Sequence, residues 1–110
     1  MTSRKEIVEA ITSLPGVVLD YPFGEDVAVY KLGDEKGKMF ALIPEGADPV
    51  RVSLKCDPTL AELLREKYDT VSAGYHLNKK HWNTILCTGQ VPDDELRDLI
   101  RHSYELVKNA

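Results

Sequence analysis

A chain of 110 residues with 43% hydrophobic content is sized for a single domain, residues 1–110, built on one modest core. The formal net charge of -4 argues against tight non-specific binding to nucleic acid, which draws its energy from neutralising phosphates. No window is apolar enough to span a bilayer and the N-terminus has no apolar signal core, so no membrane contact and a cytoplasmic location are expected.

Ser3 and Glu6 have capping-box spacing, and Ile7, Val8, Ile11 and Leu14 then recur with helical period until Pro15-Gly16. This predicts a first amphipathic helix. Val17 to Leu19 is compatible with a short extended piece, and Tyr21 to Asp26 has the Pro and Gly punctuation of a structured loop. Val27 to Leu32 and Lys38 to Ile43 are rich in β-branched and aromatic residues and flank a turn from Gly33 to Gly37, which predicts a hairpin. After a second turn from Pro44 to Pro49, Val50, Val52, Leu54 and Cys56 alternate with Arg51, Ser53 and Lys55. That alternation predicts a strand with one apolar face and one basic, solvated face.

Asp57-Pro58 starts a helix, because Asp can accept from an orphan N–H and Pro at the first helical position has no N–H to lose. Leu60, Ala61, Leu64 and Tyr68 mark its buried stripe. Beyond Asp69 the pattern is extended through Tyr75, breaks near Asn78-Lys79-Lys80 and resumes from Trp82 to Cys87 as a second hairpin. Pro92 followed by Asp93, Asp94 and Glu95 places acids at a helix N-terminus, and Leu96, Leu99, Ile100, Ser103 and Val107 form the last stripe.

The expected order is therefore α-β3-α-β2-α, an α+β two-layer sandwich with a five-stranded antiparallel sheet and helices on one face. The opposite face would be at least partly open, with Arg51 and Lys55 pointing into it.

One stretch concentrates chemistry. Gly74 to Thr84 holds the only Trp, two of the three His, two Lys and two Asn, and no acid occurs between Thr70 and Pro92. His76, Asn78, Lys79, Lys80, His81, Trp82 and Asn83 are residue types that contact phosphates, stack on bases or read base edges. Arg51 and Lys55 would extend that surface. The same composition also suits a soluble hairpin tip with a packed Trp, and both readings stand on sequence alone.

The pieces YPFGEDVAVYK from Tyr21, SLKCDP from Ser53, GYHLNKKHWNT from Gly74 and HSYELV from His102 together resemble the MmcQ/YjbR family of small bacterial proteins. The resemblance spans nearly the whole chain. It implies a five-stranded antiparallel sheet similar to that of bacterial secretion chaperones, and a DNA-binding role attached to the family through its wing-like hairpins.

Other chemistries find less support. Cys56 and Cys87 lie far apart in apolar stretches, which fits reduced buried thiols, and no zinc-ligand pair occurs. A metal would need folding to gather His76, His81, Glu25 and Asp26, and His102 is expected on the solvated side of the last helix. No nucleophile elbow, phosphate-binding loop or paired-carboxylate arrangement is present, so neither an enzyme nor a cofactor is expected. The leading expectation is a nucleic-acid-binding module that holds DNA weakly and salt-dependently. The alternative is a protein-interaction module that receives a partner segment as secretion chaperones do.

Overall fold

The computed structural model describes residues 1–33 and 37–110. Helix α1, Arg4–Thr12, begins where expected, with the Ser3 hydroxyl accepting from the Glu6 N–H at 3.2 Å. Strand β1, Val17–Asp20, follows, and then the hairpin of β2, Val27–Leu32, and β3, Lys38–Pro44. The central residues of its predicted turn, Asp34 to Lys36, lie outside the described residues. Strand β4, Arg51–Lys55, leads into helix α2, Pro58–Lys67, whose first turn is held by the Asp57 carboxylate accepting from Thr59 and Leu60. The second hairpin pairs β5, Val71–Ala73, with β6, Trp82–Leu86, and helix α3, Asp93–Lys108, closes the chain.

The fold is α+β with an antiparallel sheet and three helices, but the sheet has six strands in the order β1-β2-β3-β4-β6-β5. The sixth is β1. Val17 pairs with Leu32 and Asp20 with Val29, and Lys31 Nζ reaches Asp20 Oδ2 at 2.9 Å. That ammonium, with the Tyr21 backbone N–H, holds the Asp20 carboxyl below its usual range. A four-residue edge strand whose two middle residues, Val18 and Leu19, stay exposed carries no burial pattern of its own.

Alternation along the strands sends Ala28, Tyr30, Ile43, Val52, Leu54 and Ile85 toward the helices, where they meet Ile7, Ile11, Ala61, Leu96 and Ile100 in the main core. The opposite sheet face is not an open basic surface. Val29, Leu42 and Trp82 form a second, smaller core there, with Val27, Met39 and Leu77 packed on it. Ser53 and Thr84, also on that face, are 7% and 5% exposed. What covers them is the connection from Gly74 to His81, which folds back over the sheet.

Candidate functional site

Backbone chemistry holds this cover in place. Gly74 N donates to the Trp82 carbonyl at 2.8 Å, Tyr75 N donates to Thr84 Oγ1 at 3.2 Å, and Cys56 N donates to the His81 carbonyl at 2.8 Å. Gly74 is required by close approach, since a Cβ there would stand 2.7 Å from Trp82 Cβ and 3.2 Å from Leu77 Cβ. Asn78 Oδ1 accepts from Lys80 N at 2.9 Å and His81 N at 3.3 Å, closing the tip as an Asx turn. His76 sits at φ 56°, a left-handed conformation that costs a non-glycine residue energy and is met where a segment is tightly determined.

Two depressions border the Gly74 to His81 segment, the larger on this side of the sheet and the smaller beyond the end of β4, against the start of α2 and Leu106 of α3. The larger, about 500 Å³, is lined by Phe23, Val27, Leu42, Pro44, Tyr75 and Leu77, with Ser53, Thr84, Arg51, Asp26, Glu45 and His76 supplying its polar groups. Its volume and mainly apolar lining fall in the range of ligand sites. At its floor the Ser53 and Thr84 hydroxyls share a hydrogen bond of 2.8 Å. Toward its mouth the Arg51 guanidinium lies over the Tyr75 ring at 5.8 Å, and that ring stands against His76 with centroids 4.0 Å apart. Phe23 and Tyr75 are 62% and 66% exposed. Glu45 is engaged by Arg4 at 2.6 Å and by the Tyr21 hydroxyl at 3.2 Å. The smaller depression, about 410 Å³, is lined by Lys55, Cys56, Asp57, Pro58, Asn78, His81, Trp82 and Leu106.

The nine residues singled out from sequence therefore separate. Arg51 and His76 face the larger cleft, Lys55, Asn78 and His81 the smaller one, and Lys79 and Lys80 are exposed at the tip. Trp82 is only 6% exposed and serves as packing beneath the cover, with an edge on the smaller depression. Asn83 is 2% exposed and turned toward the helices, where its Nδ2 donates to the Ala61 carbonyl at 3.2 Å, so it is removed from any interface. The expected basic face is also interrupted, because Asp26 and Glu45 share the cleft with Arg51. Neither Phe23 nor the Ser53–Thr84 pair was singled out from sequence; a large aromatic between Pro22 and Gly24, in a loop where no core pattern calls for it, was the available signal for the first.

Outside the cleft, His102 is half-buried rather than solvated, and its Nε2 accepts from the Asp57 N–H at 3.1 Å, tying α3 to the start of α2. Burial pushes the Cys56 and Cys87 thiols each up to about 11. Asp26 and His76 meet in the larger cleft while His81 lies in the other, and among the described residues no group of three or more His, Cys, Asp or Glu could hold a metal ion. No helix among the described residues is long and apolar enough to cross a membrane.

These features define a small α+β domain whose helix-free sheet face carries a ligand-sized cleft. The YjbR family model matches residues 12–106, and the chain belongs to that family. It is 39% identical over 94 residues to the Escherichia coli O157:H7 protein YbdF, covering 86% of this chain and 75% of YbdF. It is 27% identical over 119 residues to Bacillus subtilis YyaQ, covering 98% and 100% of the two chains. Among solved structures, the Deinococcus radiodurans protein DR2400 matches with a TM-score of 0.93 and 39% identity, over 98% of this chain and 80% of the other. A Pseudomonas syringae protein matches with a TM-score of 0.77 and 28% identity, over 97% and 99%.

Proposed function

We propose that this chain is a non-catalytic binding module for single-stranded nucleic acid, working in the cytoplasm through the Gly74 to His81 segment. The observation that carries the reading is the exposed Tyr75 ring, with the Arg51 guanidinium of β4 over it and His76 tilted beside it, on an acid-free segment whose tip carries Lys79 and Lys80. An exposed aromatic ring offers a base a stacking surface, and Arg and Lys beside it neutralise phosphates. A single strand suits this surface better than a duplex, because its bases are free to leave the stack and the face presents a cleft with no recognition helix in front of it. Thiols raised to about 11 are poor nucleophiles at neutral pH, in keeping with binding rather than chemistry.

The test is fluorescence anisotropy with single- and double-stranded oligonucleotides over a salt series. Micromolar or weaker binding that favours the single strand is expected. Lys79→Ala with Lys80→Ala should reduce the magnitude of the log K versus log salt slope by about 1.4, roughly 0.7 for each lost contact to a single strand. Absence of binding at low salt, or indifference to the double substitution, would reject the reading.

One observation favours a second reading. Edge strand β1 exposes Val18 and Leu19, 44% and 48% accessible, beside an outer backbone edge that a partner strand could extend. Protein binding there would be nearly insensitive to salt and would be lost with Val18→Lys.

A further inference from the structure

We propose that the cleft between Phe23 and Tyr75 takes one unstacked nucleobase, an inference that rests on the single-strand reading and specifies what fills the site. The floor supplies the reason. Ser53 and Thr84 bring two hydroxyl protons, and their mutual bond of 2.8 Å uses one of them. Thr84 Oγ1 also accepts from Tyr75 N, which commits oxygen lone pairs and no proton. Whichever hydroxyl donates to the other, one proton of a buried pair has no protein acceptor among the described residues, and it lies at the base of an apolar cleft. A donor so placed calls for an acceptor from an occupant.

The walls and mouth narrow the occupant further. Phe23 and Tyr75 stand exposed on opposite loops and give the site two aromatic surfaces, as a flat ring requires. Asp26 at the mouth accepts from amino groups, and Arg51 donates to carbonyl or phosphate oxygens. An aliphatic side chain of a peptide would meet the apolar walls but leave the floor proton, Asp26 and Arg51 unanswered. A heterocycle with a ring acceptor and an exocyclic donor answers the floor proton and Asp26, and a phosphate attached to it would find its donor in Arg51.

The experiment compares a short base-bearing single strand with one of the same length made of abasic sugar-phosphate units, using the intact protein and its Phe23→Ala variant. Phe23 is exposed and far from the lysines in sequence, so the variant should fold as the parent does by circular dichroism. Expected is an affinity about tenfold or more higher for the base-bearing strand, an advantage lost in Phe23→Ala while abasic binding is unchanged. Equal affinities for the two strands would overturn the base pocket and leave the single-strand reading intact. Binding of neither strand would overturn both. Amide chemical-shift mapping provides the second arm: a nucleoside monophosphate should perturb Ser53, Thr84, Phe23 and Tyr75. Perturbation of those residues by N-acetylphenylalaninamide but not by the nucleotide would overturn the assignment in favour of a peptide side chain.

Discussion

Ser103 on α3 donates its hydroxyl proton to the carbonyl of Phe40 on β3 at 2.5 Å. The same oxygen accepts from the Lys55 N–H at 2.9 Å. The ladder between β3 and β4 pairs Ala41 with Leu54 and Leu42 with Ser53, and the next pair in register would be Phe40 with Lys55. The helix thus inserts a side chain where the two strands stop bonding each other. A fully buried Ser inside an apolar stripe is explained by this bridge, and it fixes the end of β4 that carries Lys55.

Ser103→Ala removes both bonds and leaves a buried carbonyl and a strand N–H without partners. Destabilisation of about 1–3 kcal/mol is expected from the unpaired groups. A urea midpoint equal to that of the parent would mean that water replaces the hydroxyl at no cost.

The cover over the sheet makes a separate stability prediction. Trp82 packs with Val29, Leu42 and Leu77, so Trp82→Ala should cost about 3 kcal/mol or more, the range for deleting a buried large aromatic. Gly74→Ala should cost about 1–3 kcal/mol by overpacking, because its new methyl would have to displace Trp82. Denaturant unfolding checks both, and a tolerated Gly74→Ala would indicate that the segment sits further from the sheet.

Local chemistry was legible in the sequence. The Ser3 and Asp57 caps and the Pro58 start depend on neighbours a few residues apart and stand as the residues predict, and β4 does send Val52 and Leu54 to the core, although its other face is covered at Ser53 rather than solvated. What was not legible depends on distant partners. Strand β1 is defined by pairing with β2, and Asn78 and Asn83, alike in type, diverge because one closes a turn and the other faces Ala61. Loop 74–81 reads as a projecting wing until Leu77 and Trp82 are seen to anchor it to Leu42 and Val29. The acid-free run did mark the segment that borders both depressions, but spacing alone carried no sign of Phe23 across the cleft or of Asp26 and Glu45 within it.

The two thiols make the pH prediction. Burial raises Cys56 and Cys87 to about 11, against about 8.5 for a cysteine in an unfolded chain. Below about pH 8.5 both states keep their protons and the thiols leave stability unchanged with pH. Above it the unfolded state loses protons that the native state retains, so stability falls as pH rises toward about 11. The slope of stability against pH in this window should be shallower in Cys56→Ala with Cys87→Ala, whatever the cavities cost at neutral pH. A disulfide-exchange reagent should label no thiol rapidly in the native protein at pH 7.5 and both in denaturant. Fast labelling of the native protein would show that at least one thiol is accessible.

Arg51 separates charge from shape. Its guanidinium lies over Tyr75 at 5.8 Å, has no carboxylate within salt-bridge distance among the described residues, and borders a cleft that also holds Asp26. A planar cation there can stack and donate in its own plane at once, which a lysine ammonium cannot. Arg51→Lys keeps the charge, so the salt slope of single-strand binding should stay within error of the parent while affinity falls by about three- to tenfold through lost stacking. Arg51→Met keeps the apolar stem without the charge, and should lower affinity further while reducing the slope magnitude by about 0.7, the share of one phosphate contact. Stability should change little in either variant, because the head group makes no buried ion pair. Equal affinities for the parent, Arg51→Lys and Arg51→Met would remove Arg51 from the interface and confine binding to the tip lysines. A slope that falls with Arg51→Lys would show that position, rather than planarity, decides the phosphate contact.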